Sequence, residues 1–121
     1  MKIQESGEDY LEAILILKEQ KGVVHAIDVA RHLNFSKPSV SRAVKILRED
    51  GDLTVDPDGA IELTEKGLEI AERIYERHRL LTLWFTELGV SPQQAAEDAC
   101  RVEHDISAET FQKLKDHFGA R

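Results

Sequence analysis

The hydrophobic period of this chain changes twice, and that change confines the fold. Up to residue 50, apolar side chains recur every three or four positions, as they do on helices. Between 53 and 63 they alternate instead, in Leu53-Thr54-Val55-Asp56 and Ala60-Ile61-Glu62-Leu63 around Pro57-Asp58-Gly59. That is the pattern of a two-strand hairpin with turn chemistry at its tip. Beyond Thr64 the helical period returns and holds. A single hairpin is not stable alone and must lean on neighbouring helices, so the chain is expected to be mainly α.

The helical stretches carry their own start and stop signals. Ser6-x-x-Asp9 reads as a capping box for a first helix over 7–20, which Lys21-Gly22 ends. A short second helix has Ile27, Ala30 and Leu33 on one face and closes at Asn34, a residue that tolerates the left-handed conformation. Ser36 then caps a third helix over 36–50, with Pro38 in its first turn and Val40, Val44 and Leu47 turned to the core. Thr64 caps a fourth over 65–88, on which Leu68, Ala71, Ile74, Tyr75, His78, Leu81, Phe85 and Leu88 form a stripe. Ser91-Pro92-Gln93-Gln94 opens a fifth running to about 104, with Gln94 as the capping-box partner, and Ser107 opens a last one bearing Phe111, Leu114 and Phe118. Helix, tight turn Asn34-Phe35-Ser36, helix and hairpin is the order of a winged helix-turn-helix with a small β-hairpin wing, expected over 1–63 and followed by an α-helical domain over 64–121.

Length and composition exclude several classes. With 121 residues, 41% hydrophobic and 32% charged, the chain is one domain or two very small ones of a soluble globular type. Its longest apolar run, 13–17, is far short of the roughly 18 residues of a membrane helix. Residues 1–5 lack the apolar region of a secretory signal, and the single cysteine, Cys100, forms no internal disulfide, so a cytoplasmic protein is expected. A Gly-rich phosphate loop, a nucleophile elbow and an H-E-x-x-H string are all missing from the sequence, and no enzyme is expected.

The net charge of −7 conceals a local exception. Over 31–48 the charged residues are Arg31, Lys37, Arg42, Lys45 and Arg48, without one Asp or Glu. This acid-free window coincides with the second helix of the helix-turn-helix, the one that enters the major groove in such proteins. Arg42 can fork onto guanine or a phosphate, Ser36 and Ser39 can hold phosphates, Ser41 faces outward to meet DNA, and the Pro38 ring can touch a thymine methyl. Arg31, Lys37 and Lys45 suit phosphates. A merely solvated helix face is the alternative, and the coincidence of window and helix weighs against it.

A second constellation has the composition of a metal site. Asp9 and Glu12 are three apart on one helix face, and Cys100, Glu103 and His104 stand at i, i+3 and i+4, so that donors can converge from a single turn. His78 sits within the apolar stripe. Taken singly, His78 can be a hydrogen-bonded core residue, Cys100 a small buried hydrophobe and Asp9 part of a cap. Together they describe a site for a divalent first-row ion, in which oxygen donors favour Mn(II) while the thiolate pulls toward Fe(II), Co(II) or Zn(II).

Glu8-Asp9-Tyr10-Leu11-Glu12, Arg77-His78-Arg79-Leu80-Leu81 and Ala99-Cys100-Arg101-Val102-Glu103-His104, together with the winged helix, resemble the diphtheria toxin repressor family of metal-dependent transcriptional regulators. The resemblance covers nearly the whole chain. It implies a DNA-binding N-terminal domain, a second helical domain that forms a homodimer, and Mn(II) or Fe(II) as corepressor on a palindromic operator of metal-uptake genes. At this length the chain looks like the two-domain manganese transport regulator branch, without a third, SH3-like domain. Asp9, Glu12, His78, Glu103 and His104 fall on ligand positions of that branch. Cys100 stands where that branch has Glu and is similar to the iron branch, whereas the iron branch has Met in place of Asp9 and two further ligands where this chain has Thr82 and Ala96. The resemblance therefore implies Mn(II) first, Fe(II) next, and Zn(II) or Co(II) as ions able to bind in vitro. The alternative is a winged-helix regulator that answers another ligand, or oxidation of Cys100, without metal.

Overall fold

The computed structural model describes residues 3–119, with side chains from residue 7 onward. Its elements are α1 (Ile3–Lys21), α2 (Ala26–Leu33), α3 (Lys37–Glu49), β1 (Leu53–Val55), β2 (Ile61–Leu63), α4 (Glu65–Glu87), α5 (Pro92–Val102) and α6 (Ala108–Phe118). The expected order of a winged helix-turn-helix followed by helices is present. Among the described residues no helix is long and apolar enough to cross a membrane. The chain divides after Glu72 into two compact units.

In the first unit α1, α2 and α3 pack on one another, and the hairpin leans on α1 and α3. Leu11, Ile14, Val24, Val29, Val40, Leu53 and Ile61 are almost wholly buried here. The α2–α3 turn is built as its residues dictate: Asn34 adopts φ 58°, ψ 45°, and Ser36 Oγ accepts the backbone N–H of Ser39 at 3.3 Å. Of the expected core side chains of α3, Val40 and Leu47 are buried and Val44 is half-buried. Antiparallel pairing joins Leu53 to Leu63, Thr54 to Glu62 and Val55 to Ile61. The strands stop one residue short of the expected 56 and 60, because Asp56 turns its carboxylate onto the N–H groups of Asp58 and Ala60, both at 2.9 Å. Val24 extends the hairpin unexpectedly, its carbonyl accepting the Ile61 N–H at 2.7 Å.

Two helix boundaries differ from the sequence reading by more than one residue. Helix α1 begins at Ile3, so Ser6 lies within it and does not cap it; the Ser6 side chain is outside the described residues. Ile3-Gln4-Glu5 contains no helix breaker, and a helix extends until something stops it. Helix α5 ends at Val102 rather than near 104, with Glu103 as its C-cap. Its N-cap is Ser91 as expected, but the Gln94 side chain reaches forward to Asp98 Oδ1 at 2.9 Å and does not complete a box.

The dividing point falls inside α4, whose first turns belong with the base of the wing. Thr64 Oγ1 accepts the Gly67 N–H at 3.2 Å and donates to the Gly51 carbonyl at 2.7 Å, and the Thr64 N–H reaches the Asp52 carbonyl at 3.1 Å. Gly67 runs so close to the residue before β1 that an added Cβ would lie 1.9 Å from the Asp52 oxygen. In the second unit Leu81, Trp84, Ala99 and Phe111 form a core against which Leu80, Phe85, Val102, Ile106, Leu114 and Phe118 pack. The Trp84 ring stands 5.8 Å from Phe111 and 5.6 Å from Phe118. Truncating such an aromatic to Ala typically costs about 3–5 kcal/mol. Phe111, Leu114 and Phe118 of the last helix are thus used inside the unit. The large apolar side chains it exposes are Leu83 and Leu88.

Candidate metal centre and nucleic-acid interface

The candidate nucleic-acid face of the first unit is α3 with its flanks. Arg31, Ser36, Lys37, Pro38, Ser41, Arg42 and Lys45 are exposed and Ser39 is half-buried, while Val40 and Leu47 behind them are buried. Burial thus separates these residues as the period predicts. Within the face, Ser36 Oγ donates to Ser39 Oγ at 2.9 Å and Arg42 Nη2 donates to the same oxygen at 3.4 Å. Both serines are therefore engaged in capping the helix and steadying Arg42, which leaves the guanidinium pre-ordered in the first half of α3.

Asp9 and Glu12 lie on α1, three residues apart and half-buried. Tyr10 between them is buried, and its ring meets that of Phe35, in the α2–α3 turn, edge-on at 5.7 Å. Burial pushes the Tyr10 phenol above its ordinary range; the Arg42 guanidinium opposes this and Asp9 adds to it.

The second unit gathers three of the predicted donors. His78, on α4, brings Nδ1 to 3.3 Å from Glu103 Oε1, and His104, in the turn after α5, brings Nε2 to 4.0 Å from the same oxygen. Glu103 is 0% exposed, and neither of its carboxylate oxygens accepts a hydrogen bond among the described residues. A buried carboxylate without a donor is expensive, by several kcal/mol, unless a cation meets it. Two imidazoles and one carboxylate are a ligand set for a divalent first-row ion, so the residues fit such a group. Cys100, a turn earlier on α5, is exposed rather than gathered with them. His104 does not share a helical turn with Cys100 and Glu103 as the spacing predicted, because α5 has ended before it.

The sequence reading missed Arg77. Its guanidinium is buried at 8% exposure and donates through Nη1 to the carbonyls of Glu103 at 3.0 Å and Ile106 at 2.9 Å. The only sequence signal is a cation inside an apolar stripe, next to His78.

A winged helix-turn-helix with a basic reading face, joined to a helical unit that holds a buried imidazole–carboxylate cluster, defines a DNA-binding regulator that answers to metal. The comparisons with known proteins agree. Residues 2–61 match the N-terminal DNA binding domain of the iron dependent repressors, and 64–120 their metal binding and dimerisation domain. The chain is 36% identical over 115 residues to an HTH-type transcriptional regulator of Methanocaldococcus jannaschii, covering 93% of this chain and 92% of the relative. It is 34% identical over 111 residues to the HTH-type transcriptional regulator MntR of Geobacillus kaustophilus, covering 92% and 79%. The solved structure of the manganese regulator SloR is similar with a TM-score of 0.84 at 28% identity, over 95% of this chain. The chain spans about half the length of that structure, 54%. The protein belongs to the diphtheria toxin repressor family of metal-dependent transcriptional regulators.

Proposed function

We propose that this protein is a repressor that senses Mn(II), with Fe(II) as the second choice and Zn(II) or Co(II) able to bind in vitro, acting in the cytoplasm as a homodimer on a palindromic operator of metal-uptake genes. The observation that carries this reading is Glu103, a fully buried carboxylate that accepts no hydrogen bond and faces His78 and His104. A resident divalent cation would supply the positive charge that this carboxylate lacks. His78, Glu103 and His104 hold it in this reading. Asp9, Glu12 and Cys100 join them on the strength of their spacing and their match to the family's ligand positions.

Hard oxygen donors at Asp9, Glu12 and Glu103 support Mn(II) over softer ions, and the name of SloR, a manganese regulator, points the same way. Donors drawn from both units would make the state of the reading face depend on the ion. Arg42, Lys37 and Lys45 supply base and phosphate contacts, and Leu83 and Leu88 are apolar surface for a second copy of the chain. Two-fold symmetry then sets the spacing of the two α3 helices, ideally near one turn of DNA or a multiple.

The test is fluorescence anisotropy of the metal-stripped chain on DNA from upstream of its own gene, titrated with Mn(II), anaerobic Fe(II) and Zn(II). Mn(II) should tighten binding by about 5–150-fold, the range of an ordinary allosteric coupling, and a chelator should reverse it. Glu103→Gln should keep the metal-free affinity and lose the response. Binding that is tight and indifferent to every ion overturns the metal half of the proposal.

A further inference from the structure

We infer that Arg77 is a positioning residue for the metal site: it fixes the turn that presents Glu103 and His104 to His78. The inference rests on the proposed function and names a residue that neither the ligand set nor the DNA-reading face includes.

Helix α5 ends at Val102, and the chain goes on as a hydrogen-bonded turn, with the N–H groups of Asp105 and Ile106 on the Val102 carbonyl at 3.0 and 3.1 Å. Glu103 and His104 therefore stand on a short turn rather than a helix, and a turn needs outside support to hold two side chains in register. Arg77 supplies it. One guanidinium nitrogen donates to the first and last carbonyls of the segment, those of Glu103 and Ile106, at 3.0 and 2.9 Å. The guanidinium carbon lies 5.4 Å over the Phe111 ring, which steadies the fork from α6. Because Arg77 directly precedes His78 on α4, a single turn of one helix carries both a ligand and the clamp on the segment that bears two more. The clamp grips main-chain carbonyls, so the Glu103 carboxylate oxygens stay turned toward His78 and His104.

Two effects of removing Arg77 have opposite signs, which makes the inference decidable. Losing a buried positive charge near a cation site should tighten ion binding. Losing the clamp should weaken it, by about 10–100-fold if it behaves as outer-shell partners of metal ligands generally do. Positioning requires the second effect to win. The experiment titrates Co(II) and Mn(II) alone into wild type, Arg77→Met, Arg77→Lys and Leu114→Ala, following the visible Co(II) bands, with circular dichroism as the check on folding. Arg77→Met should weaken binding by that factor and shift the Co(II) bands, whereas Arg77→Lys, which keeps the charge but not the planar fork, should fall between it and wild type. Leu114→Ala loosens the core of the same unit but removes neither Arg77 hydrogen bond, and should lower stability with ion affinity unchanged. If Arg77→Met does not fold, Arg77→Lys decides by the same comparison with wild type. A folded Arg77 variant that binds as tightly as wild type, or tighter, overturns the inference. Wild type that binds neither ion overturns the proposed function instead.

Discussion

Gly67→Ala should destabilise the protein, against the usual rule for a helical glycine. On helix propensity alone the change is favourable by about 1 kcal/mol. Gly67 needs no special backbone conformation, since the positive-φ glycines are Gly22, Gly51, Gly59 and Gly89. What it needs is space: a Cβ would lie 1.9 Å from the Asp52 oxygen, 2.8 Å from its carbonyl carbon and 3.3 Å from its Cα. A carbon rarely approaches a carbonyl oxygen closer than about 3.3 Å, so the first turn of α4 would have to move back by well over 1 Å. That movement strains the Thr64 N–H bond to Asp52, the Thr64 hydroxyl bond to Gly51 and the Lys66 ammonium bond to Asp50, at 3.1, 2.7 and 2.9 Å. At about 1 kcal/mol net for each bond, and less for the exposed Lys66, the losses outweigh the gain in propensity by roughly 1–2 kcal/mol before any residual strain. Urea unfolding followed by circular dichroism should show the midpoint lowered by about 0.5–1 M at an unchanged slope. A variant as stable as wild type, or more stable, would refute the close approach of α4 to the wing base.

Asp28 accepts the His25 N–H at 2.9 Å and pairs with Lys21; the Lys21 hydrogen bond and then the His25 one hold its carboxyl below the usual range. A depressed folded pKa contributes stability that is present above the unfolded value, about 4, and is lost as pH falls through the lowered one. Asp28→Asn should therefore cost stability at pH 7 and flatten the acid-side decline in thermal melts taken between pH 7 and 3. At the reading face, Arg42→Ala should relax discrimination at one operator position by about 1–3 kcal/mol, seen as a smaller penalty for changing that base pair. Lys45→Ala should weaken all DNA sequences alike and reduce the slope of log affinity against log salt by about 1 in a KCl series.

The parts of this fold that local chemistry decides were readable from the residues. Asn34 and Ser36 fix the α2–α3 turn through their own side chains and backbone, and Pro57-Asp58-Gly59 fixes the wing tip, so neither needs information from elsewhere in the chain. Positions decided by distant partners were not readable. The stripe on α4 was read through His78 and Phe85, yet Arg77 and Trp84 beside them are the more buried. A period of 3.6 leaves either neighbour eligible for the inside, and only the carbonyls of the α5–α6 turn and the rings of α6 make the choice. The end of α5 was lost for the same reason. Gly67 was silent as well, because the atom that forbids a side chain there belongs to Asp52. For the candidate site, ligand types and spacing named His78, Glu103 and His104, but the exposure of Cys100 depends on which way α5 turns that face.

Charge ties these observations together. A buried carboxylate such as Glu103, with His78 and His104 as its ion-pair neighbours among the described residues, typically adds little stability over a well-packed apolar arrangement of similar volume. Under the proposed function, an acid that weakens the metal-free state is the condition in which a cation has most to offer, since a ligand can shift an equilibrium only by its differential affinity for the two states. The same arithmetic reaches the reading face. The chain stands at −7 while its window over 31–48 carries five basic residues and no acid, so its acids repel DNA and α3 attracts it. Each divalent ion bound adds two positive charges per chain and neutralises acids, so a metal response has an electrostatic part besides any change of shape. The two parts separate experimentally, because the electrostatic one fades as the Debye length contracts from about 10 Å at 0.1 M salt to about 3 Å at 1 M, whereas one that acts by fixing the reader survives.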